Sequence, residues 1–212
     1  MEENKQHLDA LSEIRSMMEK STKFISLSGL SGVFAGIFAL LGAAAAYVHL
    51  NMALNEKNYY DFAYLDNGKV NTDFFTFFFI DGISVLVLAV SFGIFFTVRK
   101  AKKNQQSVWN STSKRLLANL FIPLVSGGLF CLVMVYHGII GLVAPATLIF
   151  YGLALLNASK YTLHDIHYLG ICQIVLGLLS SVFIGYGLLF WAFGFGVLHI
   201  VYGTIMYFKY EQ

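Results

Sequence analysis

The sequence predicts an all-α integral membrane protein, a six-transmembrane-helix bundle with both termini in the cytoplasm and an amphipathic cytoplasmic helix at its start. Three observations predict it. Of 212 residues, 57% are hydrophobic and only 12% charged, about half the charged share of a soluble domain. Too little charge remains to cover a water-facing surface of this size. Six apolar runs approach or exceed the roughly 20 residues a helix needs to cross the hydrocarbon core. Finally, the basic residues are sharply partitioned between alternate connections, which orients the bundle.

Residues 1–23 come first. Leu8, Leu11, Ile14 and Met18 recur at helical spacing, with Glu13, Arg15 and Glu19 between them. Such a helix lies on the membrane surface or beneath the bundle; alternatively it docks a partner protein or a second copy. The mixture of Lys and Glu here, followed by an overlong apolar run, is not the pattern of a cleaved leader.

Residues 24–210 form the transmembrane domain. Its spans are expected near Phe24–Leu50, Phe74–Val98, Leu116–Tyr136, Ile139–Leu156, Leu169–Tyr186 and Leu188–Phe208. Pro145 suits the first turn of a helix. The third helix is therefore open to running on to Gly141, with the fourth starting at Pro145.

Twelve of the 14 Lys and Arg residues lie in the N-terminal segment, the 99–115 loop, after the fourth span and after the sixth; only Lys57 and Lys69 lie on the other side. The first group marks the cytoplasmic face. The expected location is the inner (cytoplasmic) membrane of a prokaryote.

The external loop, about 51–73, carries Tyr59, Tyr60, Phe62 and Tyr64. Within it, Tyr64–Val70 places turn residues between apolar flanks, as in a small hairpin. A loop of this length is either a lid over an external vestibule or an interfacial aromatic anchor. Thr162 and Asp165 have the spacing of a capping box at the start of the fifth span, which puts His164 and His167 in its first turns. The fourth and sixth spans share a pattern, Phe150-Tyr151-Gly152 against Val201-Tyr202-Gly203, each ending in Lys-Tyr. This suggests that spans 3–4 and 5–6 are related hairpins in parallel.

An ionisable group inside lipid is costly and therefore informative. Asp81 sits about 10 Å below the outer surface at about 1.5 Å per residue. Ser84 and Ser91 continue its stripe. It reads as an ion or proton site opening outward, or as a carboxyl hydrogen-bonded to a neighbouring helix. His199 shares a face with Ala192, Gly196 and Gly203, small residues that admit another backbone. The short 5–6 connection makes the fifth span the expected neighbour, through Gly170, Gly177 and Ser180. His199 is then a bridge between helices, a proton relay or a cofactor ligand, with Tyr202 one turn away. Gln173 lies on the same stripe of the fifth span as Gly170, Gly177 and Ser180, completing a polar pathway of Asp81, His199, Gln173 and Tyr202.

His49 and His137 end their spans at one level with Asp81. Two His and a carboxylate suit a transition metal, although three separate helices supply them and each His is also placed to reach water. No cofactor is assigned. Asn119, Pro123 and Ser126 form a stripe on the third span, where Pro123 is expected to kink the helix. Gly32 and Gly36 form a GxxxG on the first. Cys131 and Cys172 fall inside apolar runs and suit packing. No P-loop, GxSxG, HExxH or CxxC is present.

Three functions compete. The first is a small permease, channel or ion- or proton-coupled carrier with polar residues lining the bundle interior. The second is a non-transporting component such as a sensor, an assembly factor or a subunit of a larger complex. The third is a histidine-ligated redox protein or enzyme. The expected partners are the lipid bilayer, a second copy of the chain, and a protein docking on residues 1–23. The charge pattern is explained by topology and points to no nucleic acid.

Overall fold

The computed structural model describes residues 24–50 and 59–211. The amphipathic reading of residues 1–23 lies outside them. Within them the chain is all-helical, with six helices long and apolar enough to cross a membrane. They are α1 (Gly29–His49), α2 (Thr72–Lys103), α3 (Ser111–Tyr136), α4 (Val143–Ser159), α5 (Asp165–Val182) and α6 (Ile184–Tyr210). All six expected spans are helical; their ends differ for identifiable reasons.

Residues 24–28 are not helical; tertiary contacts hold this segment at the basic end of the bundle. Phe24 N–H donates to Tyr161 O (2.7 Å), Thr162 Oγ1 donates to Phe24 O (2.7 Å), and Lys100 Nζ donates to Leu27 O (2.7 Å). Thr162 therefore does not cap α5, whose N-cap is His164 with no side-chain cap bond. Two other helices start on side-chain caps. Asn71 accepts from Phe74 N–H (3.3 Å). Asn110 and Ser113 form a reciprocal capping box, satisfying backbone donors that the first turn leaves orphaned.

The third helix does not run on to Gly141. It stops at Tyr136, and Gly138 adopts φ +73°, a left-handed conformation that favours glycine. A 3₁₀ turn, Ile140–Leu142, then leads into α4, which begins at Val143 with Pro145 in its first turn.

The loop across the opposite end is built from aromatics. Tyr64 and Val70 form an isolated antiparallel bridge around a turn at Gly68 (φ +76°), the small hairpin expected there. Tyr59 packs with Leu50, Ala63, Phe74 and Ile140 and donates to Ile140 O (3.3 Å); burial pushes its phenol above the usual range. The loop is thus anchored on the connections of the bundle.

Packing between helices is set by small residues. A Cβ at Gly36 would meet Gly196 O at 2.5 Å, and one at Gly203 would meet Val33 N at 2.6 Å. The GxxxG of α1 therefore binds α6 within the chain. This corrects the expected neighbour: the Gly196–Gly203 face of α6 lies on α1. Gly170 and Gly177 of α5 face α4 instead, at Gly152, Leu156, Ile149 and Pro145.

α2 packs along α1 and the 59–63 turn, and α3 along α4; α2 and α3 share no extended contact. The order α2–α1–α6–α4–α3 is a horseshoe, with α5 packed chiefly on α4. The hairpins α3–α4 and α5–α6 thus pack differently, whatever their shared sequence pattern.

Candidate functional site

The horseshoe encloses a chamber of about 620 Å³. Its wall is mostly Leu, Val, Ala, Gly and Phe from all six helices. Along the α2–α3 side the space is unfilled: a Cβ added at Gly82, Gly93 or Gly128 would meet nothing within 4 Å. The apolar window of α2 contains no buried residue. A chamber of this size and character matches sites that hold small apolar or amphiphilic molecules.

One polar constellation reaches this wall. α6 contains a π-helical stretch, Ala192–Leu198, immediately before His199. Such stretches are rare and are often found at functional sites. Here the carbonyl of Gly194 accepts from Gln173 Nε2 (2.7 Å) and pairs with His199 Nδ1 (3.0 Å). His199 Nε2 in turn meets the Tyr151 hydroxyl at 2.8 Å. One carbonyl thus ties α5 to α6, and through the imidazole to α4. Tyr151 and His199 both line the chamber. Phe195 stacks on the imidazole, with centroids 5.9 Å apart, and lies 5.0 Å from the Tyr151 ring. Gly194 leaves no room for a side chain without a shift of its neighbours, since a Cβ there would meet Leu148 Cδ2 at 2.5 Å and Gln173 Oε1 at 2.7 Å.

Of the sequence candidates, His199 and Gln173 are brought together, joined by the Gly194 carbonyl and not by direct contact. Gln173 is fully buried, and its Oε1 has no hydrogen-bond partner among the described residues. Tyr202 lines the chamber one turn on, but its hydroxyl pairs with Cys172 Sγ at 3.6 Å. Asp81 stands apart. It is half-buried against α1, where a Cβ at Gly42 would lie 3.2 Å from its Oδ2. It makes no hydrogen bond or ion pair among the described residues. Ser84 and Ser91 are exposed and do not continue its inward face; Val85 and Ala89 do.

His49, His137 and Asp81 do not converge. His49 stacks on Phe77 at 3.8 Å and faces Asp73 at 3.4 Å, while His137 lies edge-on to Tyr136. Among the described residues no three His, Cys, Asp or Glu side chains form a metal-binding group. The α3 stripe turns back on itself: Asn119 donates to Arg115 O and Ser126 to Ile122 O, each at 2.8 Å.

Sequence reasoning missed Tyr151 as a partner of His199. The repeated Phe150-Tyr151-Gly152 pattern pointed to the residue, yet nothing local could show which helix it faces. It also missed Glu211, whose carboxylate accepts from Gly29 N–H (2.5 Å) and Ser28 Oγ (3.1 Å) and lies 3.5 Å from buried Lys100. The last residues of the described chain thus cap the first helix.

Comparison of the chain with protein-family models, with curated proteins and with solved structures finds no match.

Proposed function

We propose that this protein is an integral membrane permease that takes an apolar or amphiphilic molecule from the bilayer into the chamber, through the side between α2 and α3. The observation that carries the reading is the 620 Å³ chamber that the described residues leave open, mostly apolar, with the Tyr151–His199 pair among the few polar groups on its wall. Lipid-soluble molecules need no aqueous path to reach it. The charge asymmetry supports an orientation with both termini in the cytoplasm.

This reading narrows the wider class of carriers and channels. Asp81 is not on the chamber wall, so an ion path along Asp81, His199 and Tyr202 has no support from the packing. A ligand role for His199 is disfavoured because both ring nitrogens are already engaged. The non-transporting alternative draws on one observation, the exposed faces of α2 and α3, which a neighbouring protein helix could cover.

The test uses the full chain in detergent, with Trp109→Phe leaving Trp191, on the chamber wall, as the only tryptophan. A vicinal-dibromo long-chain alcohol should quench Trp191 saturably. Gly93→Phe and Gly128→Phe, which fill space without a clash, should abolish saturation and keep the fold. Unsaturable quenching, or quenching unchanged by both filling variants, would contradict the proposal. Saturable quenching that appears only when residues 1–23 are removed would place the chain's own segment in the chamber and overturn it as well.

A further inference from the structure

We infer that the chamber selects a molecule whose polar head donates a hydrogen bond, a hydroxyl compound such as a long-chain, isoprenoid or ring alcohol, over acceptor-only analogues. The inference rests on the proposed chamber ligand and specifies its chemistry.

The Gly194 carbonyl can only accept. The His199 Nδ1 contact at 3.0 Å is therefore an N–H donation, and Gln173 Nε2 donates to the same oxygen. A neutral imidazole with its proton on Nδ1 has a lone pair on Nε2. An ionised ring with no carboxylate beside it would be costly in this apolar setting. Tyr151 consequently donates its hydroxyl hydrogen to Nε2 across 2.8 Å. Its oxygen keeps acceptor capacity, and among the described residues no second hydrogen bond fills it.

The other hydroxyls nearby are committed in the same sense. Ser31 donates to Ser28 O, Thr147 to Ala144 O, Thr162 to Phe24 O and Ser28 to Glu211. The Trp191 indole is the exception, since its N–H has no partner among the described residues; its ring packs on Phe195 at 5.0 Å, and Phe195 in turn stacks on His199 at 5.9 Å. Tyr202, one turn on, turns its hydroxyl to Cys172 Sγ at 3.6 Å, and at the Tyr151 hydroxyl itself the wall offers an acceptor, its hydrogen being given to His199. A ligand hydroxyl is matched there. An ether or carbonyl oxygen meets no hydrogen and loses its solvation on entry.

The relay also makes an unusual prediction for its own removal. His199→Leu frees the Tyr151 hydrogen to point into the chamber, while Gly194 O keeps its bond from Gln173. An acceptor-only head should then bind better than it does in the unaltered site.

The experiment compares three probes on the Trp109→Phe protein: dibromostearyl alcohol, its methyl ether, and the fluoride in which fluorine replaces the hydroxyl at equal size. The alcohol should bind about tenfold tighter than both others, the value of roughly one buried hydrogen bond. In His199→Leu the ether should gain on the alcohol until the two are within about twofold. Equal affinity of alcohol and fluoride in the unaltered site would overturn the inference while leaving the chamber reading intact. Binding of none of the three would instead overturn the chamber reading. The unaltered-site comparison needs no variant and decides the matter if His199→Leu does not fold.

Discussion

Gly194, Gln173, His199 and Tyr151 work as one unit, and their individual replacements should differ in kind. Tyr151→Phe removes a single interhelical hydrogen bond, which in membrane proteins averages about 0.6 kcal/mol. It should fold normally and melt within a few degrees of the unaltered protein. Gly194→Ala is different, because its Cβ would press on Leu148 and on the Gln173 amide that completes the unit. We expect about 1–3 kcal/mol of destabilisation from such overpacking. A thermal-shift series in detergent checks both, and equal losses would show that the hydrogen bond and not the close approach sets stability here. Glu211 is the corresponding residue at the basic end. Glu211→Ala strips the cap from α1 and leaves Lys100, only 8% exposed, without its carboxylate. Breaking one side of a buried pair costs about 3 kcal/mol. Glu211→Gln keeps an acceptor for Gly29 N–H and should lose less; a Gln variant as unstable as the Ala variant would assign the whole effect to the ion pair.

At the scale of the helices, the α1–α6 contact sets backbone against backbone at Gly29, Gly36 and Gly203. Gly203→Val should force the two backbones apart, since even a Cβ there would sit 2.7 Å from Gly29 O. The expected result is loss of the folded monomer, or a stability lowered by about 1–3 kcal/mol. Gly93→Val on α2 should be silent, and equal damage from both would contradict the packing described. The sequence made much of this legible. Apolar length located all six helices, and the turn residues between Tyr64 and Val70 located the hairpin. The stripes of Gly on α1, α5 and α6 announced close approaches. What they could not announce is the partner, because a small residue admits any backbone; the short 5–6 connection and the shared seven-residue spacing of Gly170–Gly177 and Gly196–Gly203 suggested α5, yet the Gly196–Gly203 face packs on α1. The π-helical stretch left no local signal either. Its Ala-Phe-Gly-Phe-Gly sequence is compatible with an ordinary helix, and it is the tertiary hydrogen bonds converging on Gly194 that accompany it. Thr162 misled for a related reason. Its hydroxyl found the Phe24 carbonyl, a partner 138 residues away in sequence.

For the molecule as a whole, the proposed membrane orientation, with both termini cytoplasmic, goes with a chamber open between α2 and α3. Reporter fusions after Ser107 and at the C-terminus should read cytoplasmic, and a fusion near Asn67 external. An external reading for the 99–115 loop would reverse the proposed orientation. Within that frame Asp81 lies off the chamber wall, so Asp81→Asn should leave ligand binding unchanged; a loss of binding without a loss of folding would return Asp81 to the site. The most direct measurement of the central claim is a native mass spectrum of the protein released gently from detergent. The account predicts a retained apolar or amphiphilic molecule at one per chain, absent from the Gly93→Phe, Gly128→Phe double variant, which folds equally well. A bare chain mass for the unaltered protein after incubation with long-chain alcohol, or an adduct that persists undiminished in the filled variant, would contradict it.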